Sequence, residues 1–269
     1  MHTFAFESYG VKIRIESNRK RIIARVESIA RKSMMGQLTE IDSATADHFF
    51  VINQVERSIY YCKNGGEGST SEHSRAFYKY FESMLRVTVA EFAVGYVFIH
   101  AGVVAWKGKA ILFPADSFQG KTTLVAALVK KGAVYYSDDY AIIDEHGFVH
   151  PFARPLSIRD KKRDFYPSKV DVASLGGIAG TEAIPVGAII ITKYRKNAKW
   201  NPRILSSGLG MIEMIQQTIP INHDPDFSIM VLKKLAERAI VAKSLRGDSK
   251  KSAFELLSFV DNLVNWATM

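Results

Sequence analysis

The chain contains one cysteine, Cys62, among its 269 residues. A single cysteine cannot form a disulfide within the chain, which excludes the small disulfide-stapled proteins and fits a reducing cytoplasm. No run of apolar residues reaches the roughly 18 that a membrane-spanning helix requires. Residues 1–7 lack the basic segment and apolar core of a signal peptide. We therefore expect a cytoplasmic protein without a membrane partner.

The sequence also lacks zinc-finger spacing and the aromatic motif of RNA-binding domains, although its charge is strongly positive. Lys and Arg number 36 against 27 Asp and Glu, a net charge of +9. Such a balance suits an anionic partner, such as a nucleotide, a phosphoprotein, an acidic peptide or nucleic acid. A solvated basic surface explains it equally well. Without a recognition motif, nucleic-acid binding stays a minor hypothesis.

Hydrophobic patterning predicts a mixed α/β chain, with an N-terminal α+β segment over residues 1–90 and a larger domain over residues 91–269. In the first segment, the apolar run 48–61 predicts two strands with a hairpin or bend at Asn53-Gln54. A helix with aromatic residues at three- and four-residue spacing ends near Gly95, and we expect its aromatic stripe to pack in the core. Nothing in this segment indicates catalysis.

The most informative stretch, residues 115–122, reads Ala-Asp-Ser-Phe-Gln-Gly-Lys-Thr. It follows a predicted buried strand, residues 110–113, and opens a predicted helix that ends at Gly132. A strand, a tight loop ending in Gly-Lys-Thr and an apolar helix are the layout of a phosphate-binding P-loop. Backbone N–H groups at the start of such a helix point at one spot, where the helix dipole favours an anion.

In this layout Lys121 would reach the terminal phosphates, and the Thr122 hydroxyl would ligate Mg²⁺. The loop departs from the usual pattern because Ala115 replaces its first glycine. We expect nucleotide contacts from the whole loop: Ala115, Asp116, Ser117, Phe118, Gln119, Gly120, Lys121, Thr122 and Thr123.

Two adjacent carboxylates, Asp138 and Asp139, end the strand that follows the predicted helix. One could hold Mg²⁺ while the other accepts a hydroxyl proton, and the pattern leaves open which does which. A solvated acidic turn is the alternative. The position of the pair, one helix and one strand after Lys121, favours a site.

Three basic residues complete the candidate set. His100 lies on an apolar strand whose hairpin partner leads into the loop, so it is either a satisfied core histidine or a group that reaches the phosphates. Arg154 and Arg159 follow the acidic pair and could neutralise the charge of a transferred phosphoryl group. For the basic cluster 159–163, a solvated face or a docking patch for an acidic substrate is the alternative.

Taken together, 99–104 (Ile-His-Ala-Gly-Val-Val), the loop 115–124 and Ser137-Asp138-Asp139 resemble the HPr kinase/phosphorylase superfamily. The superfamily includes small HPr-kinase-like relatives such as the lasso-peptide tailoring kinases. The loop and paired aspartates are also similar to those of ATP-dependent phosphoenolpyruvate carboxykinase, which shares that core. The resemblance is strongest over residues 97–159. It implies a P-loop core with a mixed sheet.

The resemblance implies a kinase that uses ATP, or another nucleoside triphosphate, and Mg²⁺ to phosphorylate a serine or other hydroxyl of a peptide, protein or small molecule. Lys121 and Thr122 match the P-loop lysine and the Mg²⁺-binding hydroxyl. Asp138 and Asp139 match the paired aspartates, one a general base and one near the metal. His100 matches a histidine that lies near the phosphates. Relatives often form oligomers, so a homo-oligomer stays open.

The departures from the family pattern motivate a second hypothesis. Ala115 and Phe118 stand where relatives usually have glycines, and Phe118 replaces a residue that often needs a permissive backbone. The departures leave open a weaker nucleotide affinity, a changed donor or a loss of activity. The alternative function is a nucleotide-binding regulatory module without transfer activity, engaging an acidic partner or nucleic acid. No match to the C-terminal loop that supports phosphorolysis is found, so we predict no phosphorylase activity.

Overall fold

The computed structural model describes residues 1–116, 119–158 and 168–263. The chain divides into two compact units, Met1–Gly95 and Tyr96–Met269. Within the described ranges, no helix is both long enough and apolar enough to cross a membrane.

In the described part of the first unit, six strands form one sheet in the order β3-β1-β2-β4-β5-β6. Helices α1 and α2 contact each other and the sheet. The core is closed by large buried side chains, which include Phe6, Phe50 and Phe81. The elements are β1 (His2–Ser8), β2 (Val11–Ser17), α1 (Lys20–Ser33), β3 (Thr39–Glu40), β4 (His48–Val55), β5 (Ser58–Lys63), β6 (Ser69–Ser71) and α2 (Ser74–Phe92).

The hairpin between β4 and β5 turns later than predicted. Asn53 and Gln54 stay in register with β5, and the chain reverses after Val55. The side chain of Asn18 accounts for this, because its amide nitrogen donates to the carbonyl of Gln54 and its oxygen accepts from the Gln54 N–H, each at 2.9 Å. The polar pair is therefore satisfied within a strand instead of a turn.

The second unit holds a mixed eight-stranded sheet with the order β11-β10-β7-β8-β14-β16-β15, and β9 pairs with β7. Strands β8, β14 and β16 are parallel, whereas β7 runs antiparallel to β8. The elements are β7 (Tyr96–Trp106), β8 (Lys109–Pro114), α3 (Lys121–Val129), β9 (Val134–Ser137), β10 (Tyr140–Asp144), β11 (Phe148–His150), β12 (Leu156–Ile158), β13 (Ser168–Val170), β14 (Ile184–Tyr194), β15 (Arg203–Ile204), α4 (Ser207–Ile215), α5 (Pro225–Arg238), β16 (Ile240–Arg246) and α6 (Ser249–Asp261).

Helices cover both faces of this sheet. Alternate strand residues such as Ile111 and Ile190 pack against α3 and α6, whereas Leu112 and Ile189 pack against α4 and α5. Parallel strands that are buried on both faces consist of continuous apolar runs. The strands β8 and β14 could therefore be predicted from the sequence. The carboxyl ends of β8, β14 and β16 consequently meet at one edge, where α3 begins.

The mixed α/β architecture is as expected, and so are the strand before the loop and the helix after it. The helix α3 lies close to β7 because Gly102 has no side chain. A Cβ at Gly102 would lie 2.7 Å from Cγ2 of Val125. This close approach brings the start of α3 next to the middle of β7.

Candidate functional site

The strand β8, whose six residues are all buried, ends at Pro114, directly before Ala115. Gly120 adopts a left-handed conformation, with φ 79° and ψ 23°, immediately before α3. Glycine is the residue that takes this conformation without steric cost. The α3 helix therefore starts abruptly at Lys121, with its first N–H groups facing out of the helix end.

Lys121 is buried, with 9% of its surface exposed. Its ammonium group donates to the carbonyl of Ala115 at 2.5 Å and lies 2.9 Å from Nε2 of His100. Burial lowers the pKa of Lys121 from its usual 10.5 to about 8, against the opposing attraction of the carboxylates of Asp139, Asp138 and Asp116.

His100 lies on β7, opposite Tyr140 of β10. Burial and the neighbouring Lys121 ammonium both lower the pKa of His100. The neutral ring can accept the Lys121 proton donor at Nε2 when its own proton sits on Nδ1. The structure therefore brings this predicted residue against the lysine of the loop.

Asp138 and Asp139 occupy the break between β9 and β10, which both pair with β7. The Ser137 hydroxyl shapes this break by accepting the N–H groups of Asp139 and Tyr140, each at 3.1 Å. The break lies beside His100, so the acidic pair and the loop share one edge of the sheet.

The Asp138 carboxylate is buried in a network of donors. Its Oδ2 accepts from the Thr122 hydroxyl at 3.0 Å and from the Ser157 N–H at 3.1 Å. Its Oδ1 lies 3.2 Å from the Tyr135 hydroxyl, which is also 2.7 Å from the carbonyl of Arg154. Burial raises the pKa of Asp138, while the Ser157 N–H opposes that rise.

Asp139 is paired with Arg154, whose Nη1 lies 3.0 Å from Oδ2 of the carboxylate. The side chain of Asp139 is 24% exposed, whereas that of Arg154 is 8% exposed. The predicted arginine is therefore brought to the site, where it contacts Asp139. Three further predicted residues, Ser117, Phe118 and Arg159, lie outside the described residues.

The remaining loop residues face the other side of β8. The Asp116 carboxylate accepts from the side-chain amides of Gln119 at 3.0 Å and Gln217 at 2.9 Å. The carbonyl of Gln217 in turn accepts the N–H of His100 at 2.7 Å. Thr123 is exposed in the first turn of α3. Gln217 belongs to no motif, so no signal in the sequence marks it as part of the site.

Arg246 is a second residue that the sequence did not mark. It ends β16, is 1% exposed, and donates from Nη2 to the carbonyls of Gln119 at 3.0 Å and Gly120 at 2.8 Å. Its Nη1 lies 3.2 Å from the hydroxyl of Ser249 at the start of α6. Its position at the end of a parallel strand is the one feature of the sequence that could suggest a place in the site. Its hydrogen-bond partner, the carbonyl of Gly120, lies 126 residues earlier and is known only from the fold.

A crevice of about 540 Å³ adjoins the loop at the carboxyl ends of β8, β14 and β16. This is the edge at which open α/β sheets bind their ligands. Its walls combine loop residues, strand ends and the end of α4: Pro114, Ala115, Asp116, Gln119, Ile191, Thr192, Lys193, Asn201, Arg203, Glu213, Gln216, Gln217, Lys243, Ser244 and Leu245.

The residues at the start of α3 fit a Mg²⁺–nucleotide. The Thr122 hydroxyl and the Asp138 carboxylate meet at 3.0 Å and offer hard oxygen ligands. Mg²⁺ commonly takes one or two protein ligands and completes its shell with water and phosphate oxygens. This pattern is compatible with the described residues, among which no group of three or more His, Cys, Asp or Glu is gathered for a metal.

Comparisons with known proteins give a structural likeness to solved structures and no match by sequence. No family model matches the chain, and no curated protein matches it by sequence. Among solved structures, the chain is similar to the Hpr(Ser) kinase/phosphatase from Coxiella burnetii, with 14% identity and a TM-score of 0.31. The match covers 61% of this chain and 94% of that chain. A likeness of this size assigns no role to any residue.

Proposed function

We propose that this protein is a kinase that transfers a phosphoryl group from ATP, or another nucleoside triphosphate, to a hydroxyl of a peptide, protein or small molecule. The observation that carries the proposal is the convergence of three groups at one sheet edge. These groups are the Lys121 ammonium at the start of α3, the Thr122–Asp138 pair and the Asp139 carboxylate. Phosphate binding needs no general base, whereas transfer to a hydroxyl can use one carboxylate as the base and another beside the metal.

The loop side of the site binds the phosphates. The N–H groups at the start of α3 and the Lys121 ammonium attract the anion, and the neutral His100 ring holds the ammonium in place. Thr122 and Asp138 would hold Mg²⁺. When bound, the metal supplies positive charge that neutralises the phosphate oxygens.

Between the two aspartates, we assign the general base to Asp139. Both oxygens of Asp138 lie within a network formed with Thr122, Ser157 and Tyr135, which suits a ligand held in place. Asp139 is the more exposed carboxylate, so an incoming hydroxyl has access to it. Arg154 fixes its orientation by an ion pair.

In-line transfer places the attacking and leaving oxygens on opposite sides of the phosphorus. Asp139 lies on the β7–β10 side of β8, whereas the crevice lies on the β14–β16 side. We therefore assign the crevice to the nucleoside part of the donor, with Asp116 and Gln119 at its junction with the phosphates. The acceptor approaches from the β10 side.

A transfer assay tests the proposal. The whole protein is incubated with Mg²⁺ and ATP labelled at the γ-phosphate. Serine-containing peptides are supplied as acceptors, and ATP hydrolysis is measured in parallel, with water as the acceptor. We expect label transfer or ATP hydrolysis that Lys121→Ala and Asp139→Asn abolish. The exposed Lys130→Ala, at the other end of α3, and Asp226→Asn, on α5, are matched controls that retain it.

Transfer that survives both site substitutions would overturn the mechanism. Nucleotide binding without transfer or hydrolysis would instead favour the regulatory module. No nucleotide binding by the wild-type protein would overturn both functions.

A further inference from the structure

Arg246 is a buried cation that the described structure pairs with no carboxylate. Its hydrogen-bond partners among the described residues are the carbonyls of Gln119 and Gly120 and the hydroxyl of Ser249. Its Nε is buried, and among the described residues it has no hydrogen-bond partner. Tyr194 adds only a ring, 5.8 Å from the guanidinium carbon.

This placement is unfavourable for stability. The guanidinium lies at the N-terminal end of α3, where the helix dipole is positive. A buried charge without an opposite charge costs free energy, and apolar residues of similar size often replace such groups without loss. Burial lowers the pKa of Arg246, while the neighbouring Tyr194 and Asp248 act to raise it. Because no carboxylate forms a direct ion pair with Arg246 in the described residues, an anion bound at the start of α3 would add negative charge beside the guanidinium.

The two carbonyl contacts determine where neighbouring N–H groups point. In a trans peptide the C=O and the following N–H point in opposite directions. Holding the Gln119 carbonyl therefore orients the N–H of Gly120, and holding the Gly120 carbonyl orients the N–H of Lys121. The Gly120 carbonyl is also held by the N–H of Leu124 at 3.1 Å, so it points along the helix and the Lys121 N–H points out of it.

We propose that Arg246 is a positioning residue for phosphate binding. Its guanidinium holds two loop carbonyls on the β16 side, so that the N–H groups of Gly120 and Lys121 are directed at the phosphate before the ligand arrives. The inference rests on the proposed function, because it needs phosphate to bind at the start of α3. It adds that the geometry of the loop depends on the junction between β16 and α6, through Ser249.

The left-handed conformation of Gly120 is part of the same arrangement of Arg246 and the loop carbonyls. A Cβ at this position would lie 2.7 Å from Nη2 of Arg246, in addition to the strain of its positive φ. Glycine here therefore lets the guanidinium reach the backbone. Replacing Gly120 by alanine would disturb the loop and displace Arg246 together.

Inorganic pyrophosphate is the probe that tests this role, because it contains the phosphates without a nucleoside. Its affinity is measured by calorimetry for the whole protein and for Arg246→Met, which keeps an apolar stem but removes every donor. We expect the affinity to fall about 10- to 100-fold, as for lost hydrogen bonds in a charged site. Arg246→Lys keeps the positive charge and a single ammonium donor group, so it should recover part of the lost affinity.

The matched control is Arg238→Met at the end of α5, where the arginine also donates to a backbone carbonyl, that of His146. It should bind pyrophosphate as the wild type does. Melting temperatures separate a folding defect from a binding defect. A folded Arg246→Met protein that binds within twofold of the wild type would overturn the role of Arg246.

A second measurement decides the case if Arg246→Met does not fold. In ¹⁵N-labelled wild-type protein, adding pyrophosphate should shift the amide resonances of Gly120 and Lys121, and in Arg246→Lys those shifts should shrink. Shifts that are absent in the wild type, or unchanged in Arg246→Lys, would overturn the proposal. Failure of the wild-type protein to bind either pyrophosphate or ATP would overturn the proposed function itself.

Discussion

At the scale of the residue, the site is organised as contacting pairs. Lys121 faces His100, the Thr122 hydroxyl faces Asp138, and Asp139 faces Arg154. The two members of each pair belong to different elements of the fold. Substituting one member of a pair therefore alters the charge or the orientation of its partner. Substitutions in different pairs should affect different properties of the site.

The buried ammonium of Lys121 should make stability depend on pH in the protein without nucleotide or metal. Its pKa is about 8 in the folded chain against an ordinary 10.5, so folding penalises the charged form. The penalty is complete below pH 8, at about 3 kcal/mol, and is relieved as pH rises towards 10.5. We expect Lys121→Met to be more stable than the wild type at pH 7, with a smaller advantage at pH 9.5.

Urea unfolding at the two pH values measures this difference. The exposed Lys130→Met is the control, and its stability difference from the wild type should not change over this range. An advantage of Lys121→Met that stays constant with pH would contradict the assignment of the lowered pKa.

The two aspartates should separate binding from transfer. Asp138→Asn removes a charged oxygen from the Thr122 network, so Mg²⁺-dependent nucleotide binding should weaken about 10-fold or more. Asp139→Asn should bind nucleotide like the wild type but lose transfer by about 100- to 10,000-fold, as expected for a general base. Calorimetry with and without Mg²⁺, beside the transfer assay, distinguishes these outcomes; the reverse pattern would exchange the two roles.

At the scale of the element, the site depends on how closely α3 lies against β7. That distance is permitted by Gly102, which faces Val125 of the helix. The same strand carries His100 and pairs with both strands that flank Asp138 and Asp139. A shift of α3 would therefore separate the loop from the acidic pair.

Gly102→Ala should force this shift. Its Cβ would meet Val125 at 2.7 Å, and overpacking of this kind costs about 1–3 kcal/mol. Gly208→Ala on α4 is the matched control, because nothing lies within 4 Å of its added Cβ and alanine favours a helix. Denaturant unfolding should show a loss for the first variant and none for the second. Equal stabilities would contradict the packing argument.

At the scale of the whole molecule, the residues of the candidate site all belong to the unit Tyr96–Met269. This unit has its own apolar core on both faces of the sheet. We expect the predicted domain 91–269, produced alone, to unfold cooperatively and to bind pyrophosphate about as tightly as the full chain. Circular dichroism and calorimetry measure this. A fragment that remains unfolded would show that the first 90 residues are required for folding.

The local features of this protein follow from its sequence. Apolar runs marked β8, α3 and β14, Gly-Lys-Thr marked the start of the helix, and the acidic pair stood out after β9. These signals are local because each depends on the periodicity or turn chemistry of a few neighbouring residues. The pairing of Lys121 with His100 and of Asp139 with Arg154 was compatible with that pattern but was not specified by it.

The distant residues that complete the site are known only from the fold. Arg246 and Gln217 reach the loop because β16 and the segment after α4 end at the same sheet edge as β8. Asn53 and Gln54 looked like a turn, yet contacts with Asn18 keep them in a strand. In each case strand order and register create the contact, and no short-range pattern records them.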